Sequence, residues 1–251
     1  MFSLQHKQYH VFLCCITGAL YSFVMLIVRD NLQPIVVQRD VNGRFLVVEV
    51  NYEGNKIWVV GIYASNVTGQ CINLWRGLHQ VLHHGRAGFL LGDFNMCLEV
   101  GQSTLMHGLM DAPKREVWDF FMMEVLRYDA WTRINGYDVG YTFQSTQYRS
   151  TWSRLDRIYI MHDETFLLAL MTMQVYRGIR SSDHFPTVLE CTHQTVDDFR
   201  SLFGKQPSRF NSSFLGHNNF KHAMGQLVEE FTRQVNVHDV SPWDVCLSNI
   251  L

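Results

Sequence analysis

No Cys-x-x-Cys pair and no zinc-type spacing of cysteine and histidine occurs in this chain. Its six cysteines are scattered as Cys14, Cys15, Cys71, Cys97, Cys191 and Cys246. That pattern argues against a structural zinc site and favours buried free thiols in a reducing, intracellular compartment. An excess of charge of one sign is lacking too. Lys and Arg total 21 against 23 Asp and Glu, for a net charge of -2 and a pI of about 6.6. The chain therefore has no global attraction to a nucleic-acid backbone, and only a local positive groove would supply one. Charged residues make up 18% and hydrophobic residues 47%, which excludes wholesale disorder and predicts a substantial core. Internal repeats and low-complexity segments are absent. The 251 residues suit one sizeable domain, alone or with an appendage.

One run stands free of charge, Val11 to Val28, with Lys7 before it and Arg29 after it. By length and hydropathy it is a marginal transmembrane or signal-anchor candidate. The anchor is the minority reading of this run, and no membrane partner is expected.

The chain is organised around Gly88-Phe89-Leu90-Leu91-Gly92-Asp93-Phe94-Asn95. A short apolar run of this kind predicts a buried strand, and the residues at its end are held rigidly where polar chemistry can sit. Asp93 and Asn95 are thereby presented together at a sheet edge. Three other stretches have the same form. Asp156 is the lone carboxylate of the strand-like run Ser153 to Ile160, Asp183-His184 precedes another run, and Val60-Gly61-Ile62-Tyr63 ends one on a phenol.

These side chains suit phosphodiester cleavage, which needs an activated water, relief for developing charge and an aligned attack. Asp93 can orient or deprotonate a water, and Asn95, which cannot titrate, can hold a phosphoryl oxygen or that water. His184 can share charge with the phosphoryl group or act as a base, given a carboxylate to fix its tautomer. Adjacent strand side chains point oppositely, so Asp183 is not the expected partner of His184. Read alone, Asp156 is equally an ion-pair partner for Arg154 or Arg157. Glu99, Asp111 and Asp129 read as surface or capping acids, and His79, His83 and His84 as solvated or capping residues near a helix end.

In order along the chain stand Gly43-Arg44-Phe45, Ile62-Tyr63-Ala64, Gly92-Asp93-Phe94-Asn95, Asp129-Ala130-Trp131, Ser153 to Ile160 and Ser182-Asp183-His184. This ordered set resembles the endonuclease/exonuclease/phosphatase superfamily of metal-dependent phosphodiesterases, and within it the endonuclease domain of LINE-type retrotransposon polyproteins. The resemblance implies a four-layered α/β sandwich of two sheets flanked by helices. It also implies that Asp93 and Asn95 serve the nucleophile and the phosphate, Asp156 supports the catalytic His184, Asp183 is associated with the metal and Tyr63 reaches the phosphate. Mg2+ or Mn2+ is the implied cofactor and the DNA backbone the implied substrate. Ser208 to Leu215 resembles the segment leading towards the reverse transcriptase of such polyproteins, which implies that domain as a partner and a nuclear or cytoplasmic location.

One departure matters. Members of the superfamily begin with a strand ending in an asparagine and a segment delivering a metal-binding glutamate, and the recognisable part here starts after both. Glu49 and Glu53 fall in the wrong strands to be assumed substitutes. The expectation is a domain missing its N-terminal strand or strands, with a weakly held cation and impaired hydrolysis. The rival readings are a non-catalytic remnant or interaction module, and a phosphatase of the same superfamily. The expected division is 1–21 as a poorly matched segment, 22–192 as the domain, and 193–251 as a connector with an amphipathic helix near 218–231.

Local signals fill in the elements. Asn42-Gly43 between apolar runs predicts a tight hairpin turn, and Glu53-Gly54-Asn55 a second turn. Leu74, Leu78, Val81 and Leu82 predict a helix, and Pro113 opens another that runs to Leu126. Further strands are expected at 141–143, 151–160, 170–175 and 185–191.

Overall fold

The computed structural model describes residues 9–16, 19–84, 87–99, 101–104, 110–136, 138–147, 151–161, 168–177 and 182–193. The C-terminal connector and the helix expected near 218–231 lie outside them.

The uncharged N-terminal run is a hairpin. Strand β1 (Tyr9–Ile16) pairs antiparallel with β2 (Ala19–Arg29), so the described strands include part of the poorly matched segment 1–21. Phe12, Cys14, Val24, Leu26 and Val28 point inward from it. Alternation with period two explains why the run is apolar without being a membrane span, because one whole face of the hairpin is a core face. No helix among the described residues is long and apolar enough to cross a membrane.

A meander follows, β3 (Ile35–Arg39), β4 (Phe45–Tyr52) and β5 (Asn55–Tyr63). Of its two turns, the first is wider than the tight turn expected there. Asn42-Gly43 lies within a wider loop closed by Asp40, whose carboxylate accepts the Arg44 N–H at 2.9 Å. The tight two-residue turn is Glu53-Gly54, where both residues have positive φ, 52° and 83°. That is the primed geometry whose twist matches the flanking strands.

Helix α1 (Thr68–Leu82) buries Cys71, Leu74, Trp75, Leu78 and Leu82. Strand β6 (Gly88–Asp93) then enters the sheet parallel to β5. Helix α2 (Ala112–Glu124) starts at the Asp111 cap, whose carboxylate accepts the Lys114 N–H at 2.9 Å, with Pro113 in its first turn. It ends two residues short of Leu126, because β7 (Leu126–Asp129) and the short helix α3 (Ala130–Asn135) occupy what read as a helix end and an isolated motif. The remaining strands are β8 (Phe143–Gln144), β9 (Trp152–Ser153), β10 (Asp156–Met161), β11 (Leu168–Val175) and β12 (Thr187–His193).

Six strands make the central sheet in the order β3-β4-β5-β6-β10-β7. Helices α1 and α2 cover one face. There Trp75, Phe94, Trp118, Phe121 and Tyr159 form an aromatic cluster, with the Trp75 and Trp118 rings edge to face at 4.8 Å. Aromatic pairs in this geometry add about 0.5–1.5 kcal/mol each beyond burial. The hairpin β1-β2 covers the other face against β4 and β5, and the antiparallel pair β11-β12 joins α3 in packing on Ile158 of β10. The molecule is thus a mixed α/β sandwich, its six-stranded central sheet flanked by helices on one face and by further strands on the other. No hydrogen-bonded pairing joins the two hairpins among those residues.

Gly92 lies where β5 and β6 run close together. Its φ is 138°, and a Cβ there would stand 2.1 Å from the Ile62 carbonyl oxygen. Only glycine fits this approach, one residue before Asp93.

Candidate active site

Period-two geometry sorts the residues around Asp93. Phe94 turns into the aromatic core, fully buried, and its N–H donates to the Leu155 carbonyl at 2.9 Å. Burying such a ring contributes about 1.5–3 kcal/mol, so the core fixes the backbone between two polar side chains. Asp93 on β6 stands in register with Tyr63 on β5 and with Asp156 at the start of β10. In-register residues of paired strands share a face, so all three belong to the same end of the hairpin-covered face.

Asn95 folds back onto Asp93. It has φ 49°, in the left-handed region that asparagine tolerates better than most residues. Its backbone N–H donates to Asp93 Oδ1 at 2.8 Å, and its side-chain Nδ2 donates to Asp93 Oδ2 and to the Ala64 carbonyl, both at 2.9 Å. Both amide protons are thereby used, leaving the Oδ1 side to face outward.

His184 arrives from the segment before β12. Its N–H donates to Ser182 Oγ at 3.1 Å, it bridges to Phe143 of β8, and its Nδ1 lies 2.8 Å from Asp156 Oδ2. Asp93, Asp156 and His184 each bring one ligand-type atom to within 4.8 Å of the others. Asp183 stands outside that group, although its charge acts on both Asp93 and His184. Tyr63 is half-buried, with the Arg44 guanidinium 5.2 Å from its ring centroid. The structure therefore gathers Asp93, Asn95, Asp156 and His184, aligns Tyr63 beside them, and leaves Asp183 at the margin.

The bland reading of Asp156, a partner for Arg154 or Arg157, is not what the fold uses. Both arginines pair with Asp129 instead. Arg154 Nη2 lies 2.5 and 2.7 Å from its two oxygens and Arg157 Nη1 lies 3.5 Å away. Asp129 also caps α3, accepting the Trp131 N–H at 2.9 Å. Arg157 Nη2 reaches Gln102 Oε1 at 2.7 Å, and the same oxygen accepts the Leu98 N–H, so the loop after Asn95 is tied to the strand that carries Asp156. No spacing in the sequence flags this network. The one available hint was the neighbourhood of two arginines and a strand, which buries charge only when a counter-ion arrives.

Electrostatics follow from the convergence. Burial first, then the Asp156 charge, push the Asp93 carboxyl up to about 6, against the pull of the Asn95 N–H and of His184. Burial alone would lower His184, but its hydrogen bond to Asp156 and the charges of Asp156, Asp93 and Asp183 together raise it. A folded-state pKa near 6, above the ~3.9 of an unfolded aspartate, means that ionised Asp93 opposes folding at neutral pH. That opposition fades as pH falls from 6 towards 4. The difference in Tm between Asp93→Asn and the wild type, measured with EDTA, is therefore expected to move in the variant's favour by about 4–8 °C between pH 4.5 and 7.5. An offset constant with pH would assign the change to packing.

No family model matches the sequence, and no curated protein does. Among solved structures, the AP endonuclease LMAP from Leishmania major superposes with a TM-score of 0.53 at 14% identity, over 67% of this chain and 65% of that one. An endonuclease/exonuclease/phosphatase family protein from Leptotrichia buccalis C-1013-b superposes at 0.50 and 14% identity, over 74% of this chain and 72% of that one. The chain has the endonuclease/exonuclease/phosphatase fold. It spans just under two thirds of the Leishmania enzyme's length. The endonuclease domain of TRAS1, a telomere-specific non-LTR retrotransposon, superposes at 0.49 and 18% identity, over 72% of this chain and 77% of that one. That superposition is too loose to single out the retrotransposon branch.

The donor set fits a hard divalent cation. Two carboxylates and one imidazole converge there, and burial, followed by the Asp156 charge, holds the Asp93 carboxyl up to about 6, a state that a bound cation would relieve. Among the described residues no glutamate joins the group. Glu49 is held elsewhere, by Lys56 Nζ at 2.9 Å and Trp58 Nε1 at 3.2 Å, and Glu53 sits in the tight turn of the meander.

Proposed function

We propose that this chain hydrolyses a DNA phosphodiester with the help of a divalent cation, leaving a nick. The observation that carries the reading is the Asp156–His184 hydrogen bond converging with Asp93 at one sheet edge. Asp93, with a pKa near neutrality, accepts the proton of the attacking water. Asn95, locked by three hydrogen bonds, orients that water or a phosphoryl oxygen through its free carbonyl. His184, held in one orientation by Asp156 and made more basic by it, offers its other ring N–H to the phosphoryl oxygen on which charge grows. The Tyr63 hydroxyl contacts the phosphate from the neighbouring strand.

Asp93 and Asp156, with Asp183 at the margin, would hold Mg2+ or Mn2+, and that ion would supply charge neutralisation at the phosphoryl oxygens. Magnesium tolerates few protein ligands only when their geometry is good, so a group without glutamate predicts weak binding and impaired turnover. The order of motifs and the Ser208 to Leu215 segment extend the proposal to a LINE-type retrotransposon setting, with a reverse transcriptase domain as partner and the nucleus or cytoplasm as location. That no glutamate joins the group among the described residues also favours a second reading, a non-catalytic interaction module.

The test is nicking of supercoiled plasmid by the purified chain in Mg2+, Mn2+ and EDTA, with Asp93→Ala and His184→Ala beside it. Slow nicking that needs the cation and vanishes in both variants is the expected result. A folded chain that never nicks would leave the interaction-module reading standing and the hydrolytic one refuted.

A further inference from the structure

Next to His184 the fold builds a layered stack that the chemistry above does not use. Phe185, its sequence neighbour, is buried, and the indole of Trp152 lies on it with ring centroids 5.7 Å apart and planes 17° from parallel. The Arg177 guanidinium carbon stands 5.4 Å from the Trp152 centroid. Burial falls in steps from Phe185 through half-buried Trp152 to exposed Arg177. The backbone of Trp152 is held on both edges, by pairing with Gln144 on one side and by two hydrogen bonds to Thr104 on the other, each 3.0 Å. The indole is thus fixed before any ligand arrives.

Among the described residues no carboxylate pairs with Arg177, and the Trp152 indole N–H has no acceptor. The indoles of Trp75 and Trp131, by contrast, donate to Cys71 Sγ and to the Asp138 carbonyl. A rigid aromatic ring with a flat cation on it is a surface on which nucleobases stack, and the cation adds attraction to the adjoining phosphate in a chain whose overall charge offers none.

We propose that Trp152 and Arg177 form a stacking platform for an unpaired base of the DNA strand whose phosphate lies at Asp93 and His184. The inference rests on the nucleic-acid reading of that site but not on its turnover. It predicts that DNA is engaged next to the cut as a locally unpaired strand.

Fluorescence anisotropy in EDTA with the full chain tests it. The probes are a short labelled oligothymidylate and a backbone-matched oligomer of abasic residues. The wild type is expected to bind the oligothymidylate about tenfold more tightly than the abasic oligomer. Trp152→Ala and Arg177→Ala should lose most of that preference, and Trp152→Phe should keep it. Equal binding of both probes by the wild type, or a preference intact in a folded Trp152→Ala, overturns the platform. A Trp152-dependent base preference without nicking upholds the platform while refuting hydrolysis. Nicking without a base preference does the reverse.

Discussion

Substituting Asp156 by asparagine is expected to lower cation-dependent strand cleavage by about 10²- to 10⁴-fold. The carboxylate holds His184 Nδ1 at 2.8 Å and is the chief influence raising the imidazole against its burial. Asparagine keeps the shape and loses the charge, so His184 is neutral at a lower pH. If cleavage uses the imidazolium, activity falls as pH rises through the His184 pKa, and that fall should move to lower pH in Asp156→Asn. A His184→Ala change added to Asp156→Asn should cost little more, because two residues that act as a unit are strongly non-additive. Single-turnover rates for both variants and the double variant, taken across pH, check this. Additive losses, or a pH profile that does not move, would mean that the hydrogen bond is structural and that proton handling lies elsewhere.

The second large effect is on stability. Asp129→Ala is expected to destabilise the fold by about 3–5 kcal/mol, the usual result of removing one partner from a buried ion pair. Arg154 and Arg157 are only 3% and 1% exposed, so neither can turn to water when the carboxylate leaves. Burial and the neighbouring Arg157 already pull the Arg154 guanidinium below its ordinary pKa, with Asp129 opposing them. The same substitution removes the α3 cap, a contribution of about 1 kcal/mol. Asp129→Asn separates the two, since it retains a capping oxygen and discards the charge. It should recover only the capping part. Urea midpoints at constant m would show this, and a loss near 1 kcal/mol in Asp129→Ala would mean that the arginines find other acceptors. The network matters for the site because Arg157 ties the loop after Asn95, through Gln102, to the strand that begins at Asp156.

These two carboxylates show what local sequence can and cannot say. Asp129 read as a surface or capping acid, and it is a cap, but it is also the counter-ion of two buried arginines. Asp156 read as their equally good partner, and it is not. The choice depends on strand polarity and register. Asp156 and Arg157 are adjacent, so the pleat sends them to opposite faces of β10, one towards Asp93 and the other towards the loop 96–102. A spacing rule limited to neighbours along the chain has no access to which face meets which loop.

Patterning alone determined a good deal. Apolar runs ending in Asp93 and Tyr63, the helical stripe ending at Leu82 and the Pro113 helix start are local matters of period and capping, and local chemistry decides them. The ordered motifs likewise placed the chain in an α/β sandwich, the fold that the solved structures share. Tertiary structure decided the rest. It made the Val11 to Val28 run a hairpin, because that reading depends on β4 and β5 being there to receive its inner face. It drew His184 onto Asp156 across 28 residues, and it set Asn95 in a left-handed conformation that its carboxylate neighbour and the Ala64 carbonyl stabilise together. The stack on Trp152 is of the same kind, assembled from three separate segments. Sequence fixes periodicity within an element, whereas a site depends on which ends of distant elements the packed sheet brings to one edge.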